Sequence, residues 1–179
     1  MASSNLQELL AILPQLGEVE WIGLRTAKRA TLKNVQEVEV AIKEGLVGDH
    51  YSGNSRNRQV TLIQAEHLEA VGGMLKKDKI DPQLTRRNIV ISGINLLAFS
   101  GRQFQIGEEV ILEMTGQCQP CSRMESNLGP GGYNAMRGHG GITAKVIQGG
   151  KIKAGDVVKL AVAKTQIKPI QTSKFADTK

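Results

Sequence analysis

Apolar positions along this chain change their period once, near Pro14. Before it, Leu6, Leu9, Leu10 and Leu13 recur at helical spacing on one face, with Ser4 placed as the cap and Gln7 three residues on. This predicts a short amphipathic helix within residues 1–17, stopped by Pro14, whose apolar face packs on the rest of the domain or on a second copy. Beyond it the apolar runs are short and rich in β-branched residues, at 18–24, 35–42, 58–63, 88–91, 110–114, 142–147 and 157–162. Turn residues such as Gly45, Gly48, Gly93, Gly107, Gly149 and Gly150 separate many of them. Helical interruptions are expected from 64 to about 71 and between 121 and 137. Strand and helix do not alternate regularly, which argues against a doubly wound parallel sheet. The pattern predicts a mostly β fold, a barrel or sandwich with a few short helices. One domain would span residues 18–162, and residues 163–179 read as a polar tail of the kind that stays disordered.

Composition narrows the setting. The chain has 179 residues, 40% hydrophobic and 22% charged, which suits a single globular domain with a real core. Aromatic residues are only 3%, so that core must rest on Val, Ile, Leu and Ala. The longest apolar runs, such as 91–99, contain polar breaks and fall far short of the roughly 20 residues that span a bilayer. No secretory signal is read at the start, and two cysteines do not make a disulfide scaffold, so a reducing cytoplasm is the expected location. The net charge of +6 suits an anionic partner. Nucleic acid is disfavoured as that partner, because the few aromatic residues are not interleaved with the basic ones.

Four clusters carry candidate chemistry. In Glu44-Gly45-Leu46-Val47-Gly48-Asp49-His50-Tyr51, glycines around Asp49 and His50 make either a rim loop or a hydrogen-bonded turn. Arg56 and Arg58 lead into the apolar strand Val60-Thr61-Leu62-Ile63, where an arginine can clamp phosphate or simply stay solvated. Arg86, Arg87 and Asn88 precede Ile89-Val90-Ile91. If the strand has begun there, the two arginines point to opposite faces and one of them binds an anion. The fourth cluster holds both cysteines in Cys118-Gln119-Pro120-Cys121, followed by glycine-rich stretches that let backbone amides approach a ligand. The pair has the spacing of a redox motif but lacks the βαβ context that such a motif uses. Structural zinc is disfavoured as well, since His50, His67 and His139 supply no second pair at finger-like spacing.

These clusters, in this order, resemble the MOSC domain, found at the C-terminus of molybdenum-cofactor sulfurases and in stand-alone proteins. The resemblance rests on Gly45 to His50, Arg58 to Ile63 with Glu66, Arg86 to Gly93, and Cys118 to Cys121. It continues through Gly140 to Val146 and Gly155 to Val158, and covers roughly Val19 to Val162. It implies a β-barrel-rich fold and a site for the molybdenum cofactor, a molybdopterin dithiolene with a phosphate tail. It further implies Cys121 as the thiolate ligand to the metal, because the family's cysteine follows a proline as Cys121 follows Pro120. Arg58, Arg87 and Asn88 match positions that would anchor phosphate and pterin, with Arg86 as the second choice and His50 or Asp49 shaping proton delivery.

Two functional classes stay open on that resemblance. One is an oxidoreductase that reduces N-hydroxylated small molecules with electrons from a partner reductase. The other is a carrier or cofactor-handling module that holds a persulfide on Cys121, loaded by a desulfurase that keeps its own pyridoxal phosphate. A blander third class is a small-ligand barrel with inert cysteines. Cys118 departs from the core family pattern, and its structural reading is a small buried residue.

Overall fold

The computed structural model of the chain describes residues 5–51 and 55–161. In chain order the first half contains α1 (Leu6–Ala11), β1 (Gly17–Leu24), β2 (Lys33–Val35), β3 (Glu37–Ala41), β4 (Gly45–Leu46), β5 (Val60–Gln64) and α2 (Ala65–Met74). The second half contains α3 (Pro82–Thr85), β6 (Ile89–Ser92), a 3-10 turn at Leu96–Phe99, β7 (Gln103–Ile106) and β8 (Val110–Gln117). It ends with α4 (Arg123–Leu128), α5 (Gly132–Ala135), β9 (Ile142–Gln148), β10 (Gly150–Lys153) and β11 (Val157–Leu160).

Seven strands close a barrel in the order β11-β7-β8-β9-β5-β6-β1, sealed where Gly17 and Glu18 of β1 pair with Val158 and Val157 of β11. Strand β2 continues the sheet outside the ring, on the far end of β1. Only the β5–β6 ladder is parallel among the pairings of the described strands, because α2 and α3 carry the chain across between them. A smaller sheet, β10-β3-β4, covers the barrel, and its Val38, Val40, Leu46 and Ile152 join the same core.

The parallel pair shows why its sequence is apolar without alternation. Leu62, Ile89 and Ile91 point into the barrel, while their neighbours Ile63 and Val90 face outward. Outside, those two pack under Leu68 and Val71 of α2 and under Met124 and Leu128 of α4. Both faces of the pair are therefore buried, as parallel strands require. Inside, Phe99 and Phe104 stack with ring centroids 4.4 Å apart and give the interior its largest side chains.

Several sequence expectations shift. Ser4 lies outside the described residues, and Asn5 caps α1 in a capping box with Glu8. The helix ends at Ala11, and only Leu13 beyond it packs on the core; Leu6, Leu9 and Leu10 are exposed. The run 35–42 is not one strand: β2 serves the barrel sheet and β3 the small sheet, so the chain bends at Gln36. Strand β8 runs on to Gln117, carrying Gly116 opposite Thr143. Three strands escaped the pattern, one of them β4, two residues long where a turn was expected. β7 is only four residues long, and β10 has a single apolar residue, Ile152, between glycine and lysines. Val162 and the tail from 163 lie outside the described residues.

Candidate functional site

The Gly45–His50 loop turns Asp49 inward and His50 outward. The Asp49 side chain is 1% exposed, takes a hydrogen bond from the Arg25 backbone N–H at 2.7 Å, and lies 3.5 Å from the Arg25 guanidinium. Asn88 completes the knot. Its amide donates to Asp49 Oδ1 at 3.2 Å and to Gly23 O at 3.1 Å, and its carbonyl accepts from the Thr61 hydroxyl at 2.8 Å. One buried amide thus ties β1, β5 and the loop together, a full set of partners for a buried polar group. His50 is exposed, and its backbone N–H donates to Arg25 O at 2.5 Å.

Arg86 and Arg87 diverge for a local reason. The strand begins only at Ile89, and Arg86 sits in the left-handed region, φ 63°, at the C-terminal cap of α3. Arg87 turns inward, 5% exposed, where Nε donates to Gly140 O at 2.6 Å, Nη1 to Thr85 O at 2.8 Å and Nη2 to Cys118 O at 3.2 Å. Burial pushes its guanidinium below the ordinary value, the thiols of Cys118 and Cys121 oppose that, and Arg58 and Arg25 add to it. Those five side chains are therefore close electrostatic neighbours, and Arg87 stays charged as arginine does in proteins.

The cysteines share this neighbourhood unequally. Cys118 is buried, its N–H donating to Gly141 O at 2.8 Å, and its Sγ accepts a weak hydrogen bond from Arg58 Nη2 at 3.9 Å. Cys121 is exposed and sits just before α4, with Pro120 buried behind it. Both thiols are free. Beside Cys121 in sequence, Arg123 joins Arg29 and Arg86 in lining a recess of about 240 Å³, with Gln83 and Asn127 and no carboxylate among the lining residues. Arg29 also has a left-handed backbone, φ 70°.

On the other side of Cys118 lies a cavity of about 10 Å³, room for about one water, lined also by Gln64, His67, Leu97 and Gly140. His67 meets His139 edge to face at 4.8 Å, and the Nδ1 of each is buried without a partner. Burial holds the His67 imidazole below its ordinary value, His139 pushes the same way, and Glu66 and the His139 backbone oppose. The folded chain therefore binds fewer protons here than the unfolded chain, and the stability of this contact is lost as pH falls through the depressed value. The urea midpoint should drop as pH falls below about 6.5, and His67→Gln should flatten that drop. Equal slopes for the two proteins would remove His67 as its source.

Sequence reasoning named Arg58, Arg86, Arg87, Asn88, His50 and the cysteines; the fold brings Arg58 and Arg87 to Cys118, places Arg86 with Arg123 at the recess, holds Asn88 on Asp49 and leaves His50 exposed. It missed Arg25, Arg29 and Arg123. Arg123 was readable, two residues after Cys121, whereas Arg25 and Arg29 lie in the β1–β2 loop with no motif of their own. Among the described residues no three His, Cys, Asp or Glu side chains group so as to hold a metal ion by themselves. No helix of the described residues is long and apolar enough to cross a membrane.

The fold and the site define a small protein built on a closed seven-stranded barrel, with Arg58 and Arg87 beside Cys118 at its wall. The model of the MOSC domain matches residues 47–159, and the chain belongs to that family. Solved structures agree on the fold. The YuaD protein of Bacillus subtilis superposes with a TM-score of 0.69 at 17% identity, over 82% of this chain and 97% of that one. YiiM from Escherichia coli gives 0.60 at 19%, over 81% and 70%, and YiiM from Geobacillus stearothermophilus 0.60 at 17%, over 86% and 78%. No match is found among curated proteins.

Proposed function

We propose that this protein binds a molybdenum cofactor of the molybdopterin type, with Cys121 as the protein's thiolate ligand to the metal. The observation that carries the reading is an exposed thiol next in the chain to a recess lined by Arg29, Arg86 and Arg123 without a carboxylate. A soft sulfur ligand and an anion cradle are what a metal–dithiolene with a phosphate tail asks of a protein. A metal held mainly by its cofactor's own sulfurs needs one protein thiolate and no cage, which fits a chain with no three-residue ligand group among the described residues.

In this reading Arg86, Arg29 and Arg123 hold phosphate, Arg58 adds charge beside the thiols, and Arg87 and Asn88 hold the wall that fixes them. His50, exposed at the loop tip, moves protons between solvent and the site. When bound, the group supplies the two-electron reduction of N-hydroxylated small molecules, with electrons from a partner reductase in the cytoplasm. A second reading draws on the exposure of Cys121: a thiol open to a partner protein suits a carrier that accepts a persulfide from a desulfurase.

Purified from a host that makes the cofactor, the protein should carry about one molybdenum per chain and lose it in Cys121→Ala. A cyanide-labile sulfur on Cys121 without molybdenum or pterin would turn the assignment to the carrier. Absence of both would leave neither.

A further inference from the structure

Helix α1 leaves its apolar face uncovered. It has six residues and buries none of them, and an isolated helix of that length is not stable in water. Its Leu9 and Leu10, with Ile12 beyond it, form one wall of a groove of about 360 Å³, and Leu97 and Ala98 form the other. These large side chains are open to solvent: Leu9 53%, Leu10 61%, Ile12 67% and Leu97 39% exposed. Leu6, one turn back on the same face of the helix, is 68% exposed. Together the five leave roughly 500 Å² of aliphatic surface in one place, as large as the largest patch of an ordinary monomer and a common mark of an interface.

Charge and shape say what covers it. An amphipathic helix that lies on a membrane carries Lys and Arg on its polar face. No Lys or Arg precedes Arg25 in this chain, and the polar side of α1 offers Gln7 and Glu8, with Asn5 as its cap. The Glu8 carboxylate is tied to the Asn5 N–H, so it is not held out for a basic partner either. The wall that α1 gives the groove is itself a ridge, with Leu6 and Leu10 in line one turn apart. A two-fold axis through the patch seats the ridge of each copy in the groove of the other, and one surface then serves as both halves of the contact. Covering it on two copies removes roughly 1,000 Å² of apolar surface, which with a polar rim reaches the low end of a stable interface, about 1,200 Å².

We propose that this face is the interface of a homodimer, in which the α1 ridge of each copy seats in the groove between α1 and Leu97 of the other. The second copy supplies the tertiary packing that a six-residue helix needs and that its own domain does not give it. Leu97 also lines the cavity beside Cys118, so the second copy packs against a wall of that cavity. The inference is independent of any cofactor.

Sedimentation equilibrium on the full chain, on Leu10→Asp/Ile12→Asp and on Met74→Asp tests it. The full chain should be a dimer with a dissociation constant of about a micromolar. The double aspartate variant should dissociate at least about 100-fold more readily. Met74 is 54% exposed at the end of α2, and its replacement should leave the dimer unchanged. If the double variant fails to fold, a photo-crosslinker at Leu9 of the otherwise unaltered chain decides, and should join two chains. A monomer at about 100 μM, a dimer that survives both aspartates, or a crosslink confined to one chain would overturn the proposal. Binding of the full chain to phosphatidylcholine vesicles, lost in the double variant, would overturn it too and give the face to a lipid surface.

Discussion

Arg87→Leu should lower stability by about 3–5 kcal/mol, the largest loss expected from any side chain near the cysteines. The size follows from what the guanidinium holds. Its three nitrogens reach the carbonyls of Gly140, Thr85 and Cys118, which lie in three separate segments of chain. Hydrogen bonds from a charged donor contribute about 1.5–3 kcal/mol each, and a buried carbonyl stripped of its donor adds a further penalty. Leucine fills part of the volume and offers no donor. Arg87→Lys keeps the charge but reaches one carbonyl at a time, so it should recover less than half of the loss. Urea unfolding reads both, and a midpoint shift of about 1.5–2 M is expected for the leucine variant. A shift under about 0.5 M would mean that the three carbonyls find other partners, and that Arg87 is free for a ligand.

Gly141→Ala should be comparably costly, at about 3–5 kcal/mol, for a different reason. Gly141 has φ +80°, and a Cβ there would stand 1.9 Å from Leu62 O and 2.9 Å from the Ile63 Cα, both backbone atoms of β5. Backbone in a barrel strand cannot yield as a side chain can. Gly138 separates the two contributions: at φ +79° it has nothing within 4 Å of its Cβ position. Gly138→Ala should therefore cost only the left-handed strain, about 1–2 kcal/mol. Similar thermal shifts for the two alanine variants would show that conformation, and not close approach, sets the need for glycine at 141.

Much of this fold is legible in the residues. Buried β-branched runs such as Ile89-Val90-Ile91 and Val60-Thr61-Leu62-Ile63 declare strands, and the period change at Pro14 separates helix from barrel. What stayed hidden is what pairing decides. Lys151-Ile152-Lys153 becomes a strand only because Val38 and Glu39 lie opposite it, and nothing local in Gly150-Lys151 says so. The bend at Gln36 is equally non-local, since it appears when the flanking residues join two different sheets.

The site was legible as a set of residue types, less so as a set of positions. Adjacent Arg86 and Arg87 look alike in sequence, yet a left-handed cap turns one to a solvent-facing recess and the other to buried carbonyls. Asn88 likewise reads as a ligand amide and sits as the centre of an internal knot with Asp49 and Thr61. Cys118 and Cys121, three apart, differ because the strand pairing that holds Cys118 to Gly141 ends before Cys121.

The seal of the barrel, Gly17 and Glu18 on Val158 and Val157, joins the first barrel strand to the last. During synthesis that seam cannot form until β11 has left the ribosome. Until then β1 and β7 each present an open edge, ready to pair with another nascent chain. The same long-range closure places this barrel among slowly folding topologies. Its period of greatest exposure to aggregation is therefore set by translation of β11, and not by the chemistry the finished barrel performs.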